Sequence, residues 1–222
     1  MKVIARIRNP YDSKFGVPRQ SGLVEQVVSE IVFEPEYRVT EALRGIEAFS
    51  HLWLIWTFDR AERAEWSPTV RPPRLGGNQR VGVFATRSPY RPNAIGLSCV
   101  RLLDVVKGKD GTTLRVAGAD LMNGTPIYDI KPYLPYTDCR PGATGGFTDR
   151  TEKRTVEVEI PEEIAADLRE DETEALAAVL REDPRPAYQD DPGRIYAFEF
   201  GGRHIEFRVE GKKLTVLRAE KT

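Results

Sequence analysis

The sequence predicts a mainly β fold: an antiparallel β-barrel, not a Rossmann sheet, followed by a small C-terminal α+β domain. Three observations carry this. Up to about residue 140 the chain holds seven or so short apolar runs, divided by Gly- and Pro-containing turns, with almost no helical periodicity. These runs never alternate with long helices, and neither GxGxxG nor GxxxxGK[ST] occurs. Past a Gly- and Thr-rich stretch come one amphipathic helical pattern and three more strand-like runs.

The elements follow in order. "VIARIR", residues 3–8, alternates apolar and polar side chains and predicts a half-buried strand. "NPYDSKFGVPRQSG" is a long turn-rich loop, and "SEIVFEP" a second strand ended by Pro35. "TEALRGIEAF" predicts one short helix, with Thr40 as N-cap and Gly45 supplying a left-handed C-terminal turn. "HLWLIWTF", residues 51–58, is apolar on both faces and predicts a central strand buried on both sides. Trp53, Trp56 and Phe58 therefore read as core rather than as a stacking platform. "QRVGVFAT", "AIGLSCVRLLDVV" and "TTLRVAGADL" predict strands, with "KGKDG" a hairpin turn between the last two. "IYDIKPYLPY" is extended and limited by its prolines. "CRPGATGGFTDRTEKR" reads as a linker. One helix starts near Pro161, with Ile164, Leu168, Leu176, Val179 and Leu180 on a stripe, and ends before "DPRPAY". "RIYAFEF", "RHIEFRVEG" and "KLTVLR" complete the chain. The predicted domains are 1–146 and 152–222, and a chain ending near Gly146 is expected to fold alone.

Composition narrows the function. The 222 residues, 40% hydrophobic and 30% charged, suffice for one large domain or for one domain with a small appendage. A formal net charge of −1 predicts neither a nucleic-acid binder nor a membrane-surface protein. Cys99 and Cys139 show no CxxC pairing, which implies a reducing, cytoplasmic setting. Two histidines argue against a His-based metal site, so no metal is expected. The start "MKVIARIRNPYDSKFG" lacks a signal peptide's apolar region, and no stretch is long enough to span a bilayer, so a soluble intracellular protein is expected.

Charge is unevenly placed. From Arg60 to Arg101 inclusive the sequence has eight arginines, no lysine, and only Glu62 and Glu65 against them. Arginine suits bidentate recognition of carboxylate or phosphate, which lysine does poorly. In "FATRSPYRPNAIGLS", residues 84–98, Pro89 and Pro92 pin the loop that carries Arg87 and Arg91. In "KFGVPRQSG", Pro18 precedes Arg19 and Gln20, whose amide is either solvated or reads a purine edge. In "ADLMNGTPIYDIKPYLPYTD", Asp120 and Asn123 flank a turn closed by Gly124. Asp129 sits in an apolar extended run, where a carboxylate has little structural use. Together these residues describe a proline-fixed site for a small anionic or zwitterionic ligand, with RNA phosphates beside it. They name no reaction. A non-catalytic RNA-binding barrel and a nucleotide-ligand sensor stay open on this reading.

The segments "KFGVPRQSG", "GIEAFSHLWLIWTF", "TVRPPRLGGNQRVGVFATRSPYRPNAIGLS", "DLMNGTPIYDIKPYLPY" and "DPRPAY" resemble, in order and over nearly the whole chain, the TrmO (TsaA-like) tRNA methyltransferases. The resemblance implies an S-adenosylmethionine-dependent enzyme on a TsaA-like β-barrel, acting as a homodimer. The implied reaction is methylation of N6 of N6-threonylcarbamoyladenosine, next to the anticodon of threonine tRNA, with the C-terminal domain helping to hold the tRNA. By matching position, the cofactor site uses Pro18, Arg19, Gln20, Arg87, Leu97 and the turn of Asp120, Leu121, Met122 and Asn123. Asp59 and Arg60 stand where members often have His-Gln, so contacts there are expected from the backbone. "DLMNG" replaces the commoner "DLVDG", which leaves Asn123 only amide hydrogen bonding. Arg87 is expected on the cofactor carboxylate, and Arg91 on the RNA or the threonyl carboxylate. Lys131, Tyr133 and Arg185 are expected on the substrate. The acceptor nitrogen belongs to a weakly nucleophilic urea, which calls for a base, and Asp129 is the candidate.

Overall fold

Alternating buried and exposed side chains build the first sheet of the computed structural model, which describes all residues except 61–65, 110, 152 and 186–190. Arg63, Glu62, Glu65 and the end of "DPRPAY" lie outside the described residues. The strands are β1 (Ala5–Arg8), β2 (Val28–Phe33), β3 (His51–Thr57), the short pair β4 (Thr69–Val70) and β5 (Val81–Gly82), then β6 (Ile95–Gly108), β7 (Gly111–Ala117) and β8 (Pro126–Pro132). Six of them pair antiparallel in the order β1-β2-β7-β6-β3-β8, and β8 returns to β1, giving a closed barrel. Its interior is filled by Ile7, Ile31, Leu52, Leu54, Leu114, Val116 and Ile127, all buried. Gly96 is required inside: a Cβ there would overlap the Trp56 indole.

Strand direction places the site. β1, β3 and β7 all end at one rim of the barrel, where β2, β6 and β8 begin. The connections 9–27, 58–94 and 118–125 therefore meet at that rim. Most residues expected in a binding site lie on these three connections.

Several sequence expectations need correction. β3 is buried on one face only: Leu52, Leu54 and Trp56 point inward, while His51, Trp53 and Ile55 lie on a half-exposed outer face. "TEALRGIEAF" forms two separate 3-10 turns, Thr40–Leu43 and Ile46–Ala48, because Gly45 at φ 85° ends the first before an α-helix can propagate. Thr40 lies inside the first turn, and its cap position is Val39. "QRVGVFAT" yields only β5 and a 3-10 turn at Val83–Ala85. After the short helix α1 (Pro135–Asp138), the expected C-terminal helix is two, α2 (Glu162–Ala165) and α3 (Glu170–Arg181). Arg169 turns extended between them, and its N–H donates to Glu172 Oε2 at 3.1 Å, which starts a new helix.

The second sheet has the order β10 (Ile195–Phe200), β11 (Arg203–Glu210), β12 (Lys213–Lys221) and then β9 (Glu157–Glu159), an unanticipated strand that pairs parallel with β12. Its core is not confined to residues 152–222. Tyr11, Val24 and Val27, all from the 9–27 connection, are buried in it, with Phe15, Val17 and Leu23 packed against it. Phe15 lies 6.3 Å from the Tyr196 ring, 6.1 Å from Phe198 and 6.2 Å from Phe207. Gly16 passes so close to Phe198 that a Cβ would overlap the ring. The expectation that residues 1–146 fold alone meets this shared core. No described helix is long and apolar enough to cross a membrane.

Candidate active site

Hydrogen bonds sew the three connections together at the rim. Asn9 Nδ2 donates to Leu121 O at 2.9 Å, and Gly22 N to Gly118 O at 2.8 Å. Asn123 accepts from the Asn9 N–H at 3.3 Å, and its Nδ2 donates to Asp12 Oδ1 at 3.1 Å. The other oxygen of Asp12 accepts from the Gly202 N–H at 3.1 Å, tying the rim to the second sheet. Arg60 Nη2 donates to Asn123 O at 3.1 Å. Arg87 Nη1 donates to Gln20 Oε1 at 2.6 Å and so joins two loops 67 residues apart.

Beneath this surface runs a buried polar chain. Trp56 Nε1 donates to Ser98 Oγ at 2.9 Å, and Ser98 Oγ donates to Asp120 Oδ1. Burial pushes the Asp120 carboxyl above its ordinary value of 3.8, against the lowering effects of the Ser98 hydrogen bond and the Arg87 charge. The native state thus holds the Asp120 proton more tightly than the unfolded chain does. Stability therefore falls as pH rises from 3.8 through the raised value, and the loss is complete well above it. Asp120→Asn should raise the melting temperature at neutral pH, by about 2–4 °C for each kcal/mol relieved in a chain of this size. Calorimetric scans should show the gap closing below pH 4. A lower melting temperature at pH 7 would mean that the ionised carboxylate stabilises the fold.

The structure brings together Gln20, Arg60, Arg87, Asp120 and Asn123. Leu97 stands exposed on the outer face of β6, and register puts it in one row with Ile55 and Asp129. Leu97 and Asp129 are two strands apart, about 10 Å. Asp59 is an exposed turn residue and Met122 is half-buried. Pro18 is buried, which fixes the loop from below. Asp129 does have structural partners: its Oδ1 accepts from the Ile130 N–H at 2.9 Å and its Oδ2 pairs with Lys131 Nζ at 3.0 Å. Arg91 Nη1 donates to Thr86 O at 2.9 Å and Ser88 O at 3.3 Å, so the loop holds its own arginine in place.

Other expected residues sit elsewhere. Leu121 is fully buried in the barrel core and its carbonyl is taken by Asn9, so its side chain cannot face a ligand. Arg19 Nη2 donates to Arg185 O at 3.1 Å and Asp183 O at 3.4 Å, which directs it toward the second domain. Arg185 is 7% exposed and grips Asp183 through two bonds of 2.8 and 3.0 Å, so it is not a surface phosphate contact. Tyr133 lies past the far end of β8: its N–H donates to His51 O at 2.9 Å and its ring packs against Trp53. β8 runs away from the rim, and Lys131 and Tyr133 go with it.

Sequence reasoning missed Ser98, Asn9 and Asp12. Ser98 had a signal, as the lone hydroxyl at an inward position of the alternating run "AIGLSCV". Asn9 and Asp12 had none, since their partners are more than 100 residues away.

Among the described residues no three His, Cys, Asp or Glu side chains cluster as a metal site would require. The donor set does fit a zwitterionic sulfonium nucleoside: a guanidinium for its carboxylate, side-chain amides for its polar edges, and exposed Leu97 for an apolar face.

Comparison with known proteins agrees with this geometry. The tRNA-methyltransferase O N-terminal domain model matches residues 6–139, and the TrmO C-terminal domain model matches residues 153–222. A tRNA (adenine(37)-N6)-methyltransferase of Escherichia coli (strain K12) is 42% identical over 225 residues, covering 98% of this chain and 96% of its own length. A protein of Pyrococcus abyssi named "Probable S-adenosyl-L-methionine-binding protein" is 36% identical over 66% of this chain and 74% of its own length. The crystal structure of TrmO from Pseudomonas aeruginosa superposes with a TM-score of 0.79 at 32% identity, covering 100% of this chain and 97% of that one.

Proposed function

The chain belongs to the tRNA-methyltransferase O family, and from that premise we propose that its acceptor is N6 of N6-threonylcarbamoyladenosine beside the anticodon of threonine tRNA. It is an S-adenosylmethionine-dependent tRNA (adenine(37)-N6)-methyltransferase. One observation supports the modified adenosine as acceptor: the proline-pinned loop presents two guanidiniums, Arg87 and Arg91, where an unmodified adenine and one cofactor carboxylate would need only one.

Bound S-adenosylmethionine supplies an electrophilic methyl group on a sulfonium. The chain's residues do the rest. Arg87, steadied by Gln20, holds the cofactor carboxylate, and the turn 120–123 borders the cofactor at the rim. Leu97 supports an apolar face. Arg91 keeps Nε and Nη2 for the threonyl carboxylate, since its bonds to Thr86 and Ser88 use Nη1. Asp129, whose Oδ2 pairs with Lys131 Nζ at 3.0 Å, takes the N6 proton. Orientation at the rim carries most of the rate gain, because methyl transfer consumes a charge rather than creating one.

In this reading residues 1–146 form the catalytic domain, and residues 152–222 form an appendage that meets tRNA through exposed Arg181 and Arg194. The protein works in the cytoplasm as a homodimer.

The test uses threonine tRNA with and without the threonylcarbamoyl group, followed by mass spectrometry of the nucleosides. Methyl transfer only to the modified tRNA is expected. Equal transfer to unmodified adenine 37 would overturn the acceptor assignment. Arg87→Ala should weaken cofactor binding by about 10- to 150-fold, the range for a hydrogen bond to a charged group, measured by calorimetry in EDTA. Unchanged affinity would remove Arg87 from the cofactor site.

A further inference from the structure

Trp66 and Phe84 are large aromatic side chains left in solvent, 51% and 72% exposed. Their rings lie 6.3 Å apart at 28° to one another. The backbone beneath them is held firmly. β4 pairs with β5, the Val83 N–H donates to Pro68 O at 2.9 Å, and Ser67 Oγ donates to Thr69 O at 2.7 Å. Val83, next to Phe84, is 1% exposed and anchors the turn. The Arg91 guanidinium sits 5.8 Å from the Phe84 ring centroid, within cation–π range. The fold thus buries one neighbour and displays two rings, with a cation over one of them.

This is the ribbon inside the 58–94 connection, at the rim that carries Arg87. The described part of that connection contributes Arg60, Arg71, Arg74, Arg80, Arg87 and Arg91 against a single acid, Asp59. An apolar shelf among arginines complements a ligand that is flat and aromatic but linked by anionic phosphates. Such a ligand is an unpaired nucleobase in single-stranded RNA, since every base has a π-face and its backbone answers the arginines.

We propose that Trp66 and Phe84, with Arg91 over Phe84, form a stacking shelf for an unpaired base of the tRNA anticodon loop, next to the adenosine that is methylated. This rests on the tRNA reading above. Stacking there anchors the loop beside the rim and so adds to RNA affinity rather than to the chemical step.

The experiment measures fluorescence anisotropy of a labelled anticodon stem-loop RNA on the full-length protein, alongside kcat at saturating RNA and calorimetric S-adenosylmethionine affinity. Trp66→Ala combined with Phe84→Ala should weaken RNA binding about 5- to 150-fold, as loss of one base–aromatic stack does. The kcat and the cofactor affinity should stay unchanged. Trp66→Phe, which keeps a π-face, should restore most of the RNA affinity. An abasic site at the stacked loop position should erase the difference between wild type and double variant. Equal RNA affinities would overturn the proposal. So would a parallel fall in cofactor affinity, which would make the rings a wall of the cofactor site, or a change confined to the sedimentation coefficient, which would make them a subunit contact. If the wild type shows the stacking effect yet methylates nothing, the shelf stands and the acceptor assignment fails.

Discussion

A chain cut after Gly146 is expected to lose S-adenosylmethionine binding and most of its soluble fold. The cut removes the sheet that covers Tyr11, Phe15, Val24 and Val27. A side chain of this size is worth about 1.5–3 kcal/mol when fully buried, so Tyr11, Val24 and Val27 alone, returned to water, reach into the 5–15 kcal/mol that holds a typical domain together. The same cut removes the carbonyls of Asp183 and Arg185 that Arg19 grips, and the Gly202 N–H that Asp12 accepts from. Pro18, Arg19 and Gln20 then hang on a loop with nothing beneath it. Calorimetry on the shortened chain should give no isotherm, and sedimentation should show aggregates. A soluble species binding cofactor at full affinity would prove the barrel self-sufficient. In the full-length protein, Phe15→Ala should reproduce part of the loss.

Asp129→Asn should lower single-turnover methylation about 10²- to 10⁴-fold, the usual contribution of a general base, while cofactor and tRNA affinities stay near wild type. The substitution keeps the side-chain oxygen that accepts from the Ile130 N–H, so the local strand geometry survives. It removes the negative charge opposite Lys131 on an exposed sheet face, where ion pairs stabilise little. Stability and catalysis are thereby separated: a change in rate without a change in melting temperature marks Asp129 as the base. Single-turnover rates equal to wild type would move the role elsewhere, with Asp138 or a water next in line.

The strands were legible because inward and outward side chains alternate, and β1, β6, β7 and β10 follow that rule closely. The rim loops were legible for another reason. Pro18, Pro89 and Pro92 mark backbone that must hold one shape, and Arg87 and Gln20 inside those loops do meet. The shared core was hidden because Tyr11, Phe15, Val17 and Val24 follow no helical or strand period, and their partners lie some 180 residues downstream. Arg185 was misread because an arginine two residues after an aspartate looks the same whether the pair is solvated or, as here, enclosed. Tyr133 was misplaced by sequence proximity to Asp129. Four residues of extended chain span about 13 Å, enough to leave the rim.

The threading of residues 9–27 into the second sheet also sets an order in time. Synthesis proceeds at about 5–20 residues per second, so ~10–40 s separate the emergence of the first strand from that of the last. The barrel strands β1 to β8 can pair while the ribosome is still working. The segment bearing Pro18 and Gln20 is not expected to settle until β10 and β11 have appeared and given Phe15 its three aromatic neighbours. With residues 18–20 as the cofactor loop, the nascent chain is expected to gain that loop only after these strands appear. An incomplete chain among tRNAs is then not expected to modify them.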